Sequence, residues 1–184
     1  MPFRRSTLAS LFFTGLIAMN TCASAQTPTA APPPPCSSAE YRQLDFWVGD
    51  WDGVWDNGDG TTGHARNRIT RDEFGACVIY EHFTADAGGL SGMSISTWVP
   101  RLKQWRQTWV DDKGGWFNFV GGPMTGPDGV FYFENVRESE GTPIQRMVFQ
   151  DVTPDAFTWR WQAKVHPTDP WIDRWVIKYT RRRS

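Results

Sequence analysis

Four polar side chains stand inside runs where bulky apolar residues otherwise alternate. Glu81 falls between Ile79 and Phe83, Gln107 between Trp105 and Trp109, Asn118 between Trp116 and Val120, and Glu134 between Tyr132 and Val136. Alternate residues of a strand share a face, so each of these groups looks the same way as its apolar neighbours. A polar group buried there costs roughly 1–3 kcal/mol if unpaired, and its partner is another side chain, water or a ligand. A carboxyl such as Glu81 can serve as acid or base in that setting, and an amide such as Gln107 can donate to a carbonyl or oxyanion. Trp98, Trp105, Trp109, Trp159 and Trp161 would supply walls suited to a flat, apolar molecule. Residues 116–120 and 130–133 carry aromatics on both faces, which leaves the facing of Asn118 and Glu134 open to reversal.

Other chemistry finds little support. Gly92-Met93-Ser94-Ile95-Ser96 lacks the final glycine of a nucleophile elbow. His64, His82 and His166 show no metal-ligand spacing, and no cysteine pair supports zinc. Asp56-Asn57-Gly58-Asp59-Gly60 looks like a calcium loop. Aligning Gly60 with the loop glycine, however, puts Trp55 at the first ligand position and Arg66 at the last, so the run reads as a turn. His82 has the opposite parity to Glu81 and reads as a surface residue. No catalytic residue and no metal ligand is assigned.

The elements that would position these groups begin after an export signal. Arg4-Arg5, an apolar run over 8–19 and the small-x-small Ala23-Ser24-Ala25 define a signal peptide over 1–25, cleaved before Gln26. The apolar run is shorter than the roughly 20 residues of a membrane span. Met19-Asn20-Thr21 before Cys22 is a poor lipobox, and the motif around Arg4-Arg5 is incomplete for twin-arginine export. Residues 26–35, ending in four prolines, read as a linker, and 36–184 as one folded domain. A periplasmic or secreted location follows. A net charge of −1, with no basic stripe through the domain, argues against nucleic acid as a partner. Cys22 leaves with the signal, and the remaining pair, Cys36 and Cys77, is expected to form a disulfide in an oxidising compartment. Spacing alone leaves two free thiols open.

Ser37-Ser38-Ala39-Glu40 fits a capping box that would open a short helix reaching about Leu44. Ten β-patterned runs follow, at 46–56, 63–70, 76–84, 91–99, 104–111, 115–120, 130–137, 144–152, 156–165 and 171–181. Turn residues such as Asn57-Gly58, Gly88-Gly89 and Pro127-Asp128-Gly129 separate them. The pattern predicts an all-β, up-and-down antiparallel barrel of about ten strands, closed because closure removes the edges. Such a barrel is wide enough for a cavity. Trp47, Gly49, Trp51, Gly53 and Trp55 share the inward face of the first run, and Trp171, Trp175, Ile177 and Tyr179 that of the last. Asp50, Asp52, Arg160, Lys164, Arg174 and Lys178 occupy the outward stripe, which argues against a lipid-facing outer-membrane barrel. Arg181 shares the parity of Tyr179. Antiparallel closure of the last strand on the first would therefore bring Arg181 to Trp51.

Phe46-Trp47-Val48-Gly49-Asp50-Trp51 resembles the Gly-x-Trp start of the first strand in the lipocalin-like (calycin) superfamily. That resemblance implies a tryptophan at the closed end of the barrel, covered by an arginine from the last strand. Trp51 and Arg181 match those roles. With Glu81 and Trp105-Arg106-Gln107-Thr108-Trp109-Val110-Asp111 followed by a glycine, most of the mature chain is similar to a family of exported bacterial lipocalin-like proteins. That family has no settled function, so the likeness speaks to fold rather than role. A more distant likeness is to the haem-binding nitrobindin-type barrels. Gly49 to Gly60 follows their longer glycine-rich motif poorly, and His166 sits beside Pro167 in a turn, so no cofactor, haem included, is expected.

The leading functional reading is a protein that binds a small, mostly apolar molecule among Glu81, Trp98, Gln107, Trp109, Asn118, Glu134, Trp159 and Trp161. Its partners would include no nucleic acid and no membrane once the signal is removed. A second reading is an isomerase, cyclase or hydrolase using Glu81 as acid or base beside Gln107. A third is an interaction module whose exposed aromatics near Phe117 and Phe131 pair with a second copy as a homodimer.

Overall fold

The computed structural model describes residues 31–71, 74–137, 139 and 141–183. Residues 1–25, expected to be an export signal, and residues 26–30 of the expected linker lie outside the described residues. The alternating runs form ten antiparallel strands: β1 (Gly49–Asp56), β2 (Thr62–Thr70), β3 (Val78–Ala85), β4 (Ser91–Val99) and β5 (Gln104–Asp111), then β6 (Trp116–Pro123), β7 (Phe131–Asn135), β8 (Ile144–Gln150), β9 (Ala156–Lys164) and β10 (Ile172–Arg181). Each pairs with its sequence neighbours, and β10 returns to β1, giving the closed barrel that the turn spacing predicts. No strand edge is left unpaired, which is the physical gain of closure. No helix among the described residues is long and apolar enough to cross a membrane.

One end of the barrel is plugged by the segment that precedes β1. Two 3-10 turns, Ala39–Arg42 and Asp45–Trp47, carry Leu44 and Trp47 into the interior, where they are 0% and 2% exposed. The expected capping box does not form. The first turn is so short that its amides close on its own carbonyls, Tyr41 on Ser38 and Gln43 on Glu40. The Ser38 hydroxyl instead donates to the Glu40 carboxylate (2.6 Å), which lowers that carboxyl's pKa. The plug is tied to the wall at several points. The Trp105 indole donates to Gln43 (2.9 Å), Arg71 pairs with Asp45 (3.0 Å), and Cys36 is bonded to Cys77.

At the centre of the plug is the predicted closure. Trp51 faces Arg181 across the β1–β10 pair, and the guanidinium lies 4.0 Å from the centroid of the indole. The Trp51 indole donates to the Trp47 carbonyl (2.8 Å), and Arg181 donates to the carbonyls of Val48 (2.9 Å), Phe46 (3.4 Å) and Pro154 (2.6 Å). One residue thus stitches the entering chain, β1, the β8–β9 turn and β10 together. Gly49 makes this possible: its φ is +142°, and a Cβ there would lie 2.1 Å from Arg181 Nη1.

Three facings differ from expectation. Phe117 and Phe119 of β6, and Phe131 and Phe133 of β7, turn inward, so Asn118 and Glu134 face outward. The bulkier ring set occupies the core wherever aromatics stand on both faces. In the last run a bulge between Asp173 and Trp175 shifts the register against β9. A bulge reverses the parity before it, and Trp171 therefore lies outside, beneath Arg146 (4.1 Å) and Lys164 (4.5 Å).

Arg181→Ala removes a stacked guanidinium and three charge-assisted bonds, and is expected to destabilise the fold by about 3 kcal/mol. Arg183, 87% exposed beside Asp155, is expected to matter by less than about 0.5 kcal/mol. Urea unfolding of the two alanine variants checks this, and equal losses would contradict the closure. The disulfide spans a separation of 41 residues, worth about 4 kcal/mol by loop entropy. A Cys36→Ala/Cys77→Ala double variant is expected to lose most of that in the same assay.

Candidate functional site

Away from the plug the inward side chains do not meet, and a cavity of about 310 Å³ remains. Its walls are mainly aromatic: Trp109, Trp159, Trp161, Trp175, Phe83 and Phe117. Trp159 and Trp161 are alternate residues of β9, so their indoles lie on one face, 9° from parallel and 6.4 Å apart. Trp175 from β10 meets Trp159 edge-on (5.7 Å) and also abuts Phe83 (5.9 Å) and Trp55 (5.1 Å). The indoles thus brace one another rather than collapse into the space.

Polar groups enter this apolar wall from the middle of β3 and from β10, two residues before Arg181. Glu81 Oε1 accepts from Asn67 Nδ2 (2.8 Å), and its Oε2 accepts from the Ser94 hydroxyl (2.7 Å). Asn67 and Ser94 are 2% and 1% exposed. Asn67 Nδ2 also reaches the Tyr179 hydroxyl (3.5 Å). Glu81 is half-buried by surface area, but the surface it keeps belongs to the cavity. Burial therefore pushes its carboxyl above the ordinary glutamate value, with Ser94 and Asn67 opposing the shift. Burial, together with the Glu81 charge, pushes the Tyr179 phenol well above its usual value. Tyr179 stays protonated and keeps a hydroxyl to offer. Asp111 and Gln145 also line the cavity, near the ends of their strands. Burial raises the Asp111 carboxyl, but donation from the Trp109 indole (2.9 Å) and from the Gly115 and Lys113 amides outweighs it and lowers the pKa overall.

Of the residues expected to form the site, Glu81, Trp109, Trp159 and Trp161 come together around the cavity. Trp98 lies outside that lining, half-buried and paired with Trp105 toward the plug. Gln107 sits one inward row nearer the plug, 3% exposed. Its Nε2 donates to Ser96 (2.9 Å), while Oε1 has no hydrogen-bond partner among the described residues. Among the described residues no hydrogen bond links Gln107 to Glu81. Asn118 is exposed and accepts from Thr108 (2.9 Å), and Glu134 faces Arg146 on the outer wall. Phe131 is 1% exposed and Phe117 lines the cavity, so neither is the exposed aromatic anticipated for pairing two copies.

Sequence reasoning passed over Asn67, Ser94, Asp111, Gln145, Trp175 and Tyr179 as site residues. Asn67 stands between Ala65 and Ile69 in the same alternation that marked Glu81, so that signal was available. The Asp56–Gly60 run is the β1–β2 turn. Asp56 accepts from the Gly58 amide (2.7 Å) and Asp59 from the Thr61 amide (2.9 Å). His82 is exposed, and the His166 amide donates to Asp169 (2.8 Å) within the β9–β10 turn. The chain matches no protein-family model and no curated protein.

The raised Glu81 carboxyl has a pH signature. Between the ordinary glutamate pKa, about 4.3, and the higher native value, the folded state binds more protons than the unfolded one. Stability therefore falls as pH rises through that window. In Glu81→Gln the amide can accept from Asn67 and donate to Ser94 without a charge. The variant is expected to be more stable than the parent at neutral pH, with the gap closing below about pH 4. Urea midpoints measured across this range check it; a gap independent of pH would contradict the buried carboxyl.

Proposed function

We propose that this protein binds a small, mostly apolar molecule with one polar end inside its barrel. The observation that carries the reading is the cavity of about 310 Å³, walled by four indoles and entered by the Glu81 carboxyl and the Tyr179 hydroxyl. That volume lies at the lower end of the roughly 300–1,000 Å³ typical of small-molecule sites, and a mostly apolar wall with few convergent polar groups is their usual make-up. The polar end of the ligand meets Glu81 and Tyr179 rather than Gln107. Enzymatic acid–base chemistry is the less supported reading, because the Gln107 amide that would assist Glu81 is bonded to Ser96 instead.

The setting is extracytoplasmic and the kinship lipocalin-like, as we read it. The Cys36–Cys77 disulfide supports export alongside the N-terminal signal pattern. The Gly49-x-Trp51 start capped by Arg181 supports the kinship.

Tryptophan fluorescence titrated with flat apolar alcohols, phenols, carbonyl compounds and amines tests the binding reading. Saturable change in emission is the expected result. Trp161→Ala is expected to weaken binding by about 2 kcal/mol through lost wall contact. Gln107→Leu is expected to leave affinity within about twofold, below about 0.5 kcal/mol. Emission unmoved by every compound would overturn the reading.

A further inference from the structure

The charge of the cavity is one-sided. Among the described residues, its lining includes two carboxylates, Glu81 and Asp111, and no lysine, arginine or histidine. The remaining surface is largely aromatic, and ring faces carry the negative lobe of their quadrupole. Two cations stand at the ends of the barrel, Arg181 and Lys113. Arg181 is at the plugged end, bonded to backbone carbonyls and stacked on Trp51. Lys113, in the β5–β6 turn, pairs with Asp112 (3.5 Å), and its charge also helps to lower the Asp111 carboxyl, so Glu81 is the lining carboxylate held by neutral donors alone.

Three classes of apolar ligand can be weighed against that lining. A carboxylate such as a fatty acid would bring a negative charge into a low-dielectric space already holding Glu81, with no cation to meet it. A neutral molecule would avoid that repulsion but would leave Glu81 with only two neutral donors, Asn67 and Ser94. A protonated amine would supply the missing countercharge. Its N–H groups can reach the free lone pairs of the Glu81 carboxylate and the Tyr179 oxygen, and its charge gains from the indole faces around it. Neither Glu81 nor Tyr179 need move, because Asn67 and Ser94 already fix the carboxylate.

We propose that the ligand is an organic cation, a protonated amine on a flat apolar body, whose ammonium group pairs with Glu81 inside the indole-walled cavity. This rests on the binding reading above and names its ligand class. Calorimetric titration of the purified protein with naphthylmethylamine, naphthylmethanol and naphthoate tests it, since the three share a body and differ in charge. The amine is expected to bind at least about tenfold more tightly than the alcohol, and naphthoate weakest. In Glu81→Gln the preference for amine over alcohol is expected to shrink to within about threefold. If that variant does not fold, the ranking by the unmodified protein decides. Alcohol or naphthoate binding as tightly as the amine would overturn the cation assignment and leave the binding reading standing. No heat from any of the three would overturn both.

Discussion

Closing ten strands into a ring leaves no unpaired edge, but it also encloses more space than inward side chains readily fill. Where that surplus space is put decides the rest of the molecule. At one end it is consumed: Leu44, Trp47 and Trp51 are driven inside, Phe149 packs edge-on against Phe46 and Trp47, and Arg181 closes the assembly. At the other end it is kept. The plug adds Leu44 and Trp47 to an end where the strand residues Trp51, Trp105, Phe131 and Phe149 are also fully buried.

The kept space is supported rather than merely unfilled. Indoles on β5, β9 and β10 contact one another or Phe83 edge-on, so each wall residue has partners even without a ligand. The polar cluster is a cost in the unliganded protein. Glu81, buried in the barrel, is met by two neutral donors, and Asn67 Oδ1 has no hydrogen-bond partner among the described residues. Each buried polar group left unpaired costs roughly 1–3 kcal/mol. A barrel selected only for stability would do better with leucine at these positions. Such local expense, set beside a cavity, is what a binding site looks like.

Much of this was legible in the residues. The alternation fixed strands β4 and β5 to the residue, and parity alone brought Arg181 to Trp51 across the barrel seam. The site was legible only where a strand had a single candidate inward face, as in β3, β5 and β9. In β6 and β7 both faces are aromatic, so periodicity had no asymmetry to read, and packing against neighbouring strands chose the phenylalanines. Trp171 was misplaced by a bulge that shifts parity within a run of otherwise ordinary composition. Gln107 was placed correctly inside but at the wrong height. Height depends on how far the plug penetrates, which strand periodicity does not encode.

The central claim is that the space above the plug belongs to a ligand. Native mass spectrometry of the protein purified from its own cells, followed by identification of whatever small molecule is released on unfolding, tests it most directly. The account predicts a single bound molecule per chain, mostly apolar and carrying one polar group. A chain of bare polypeptide mass, together with a crystal structure in which side chains fill the cavity, would contradict it.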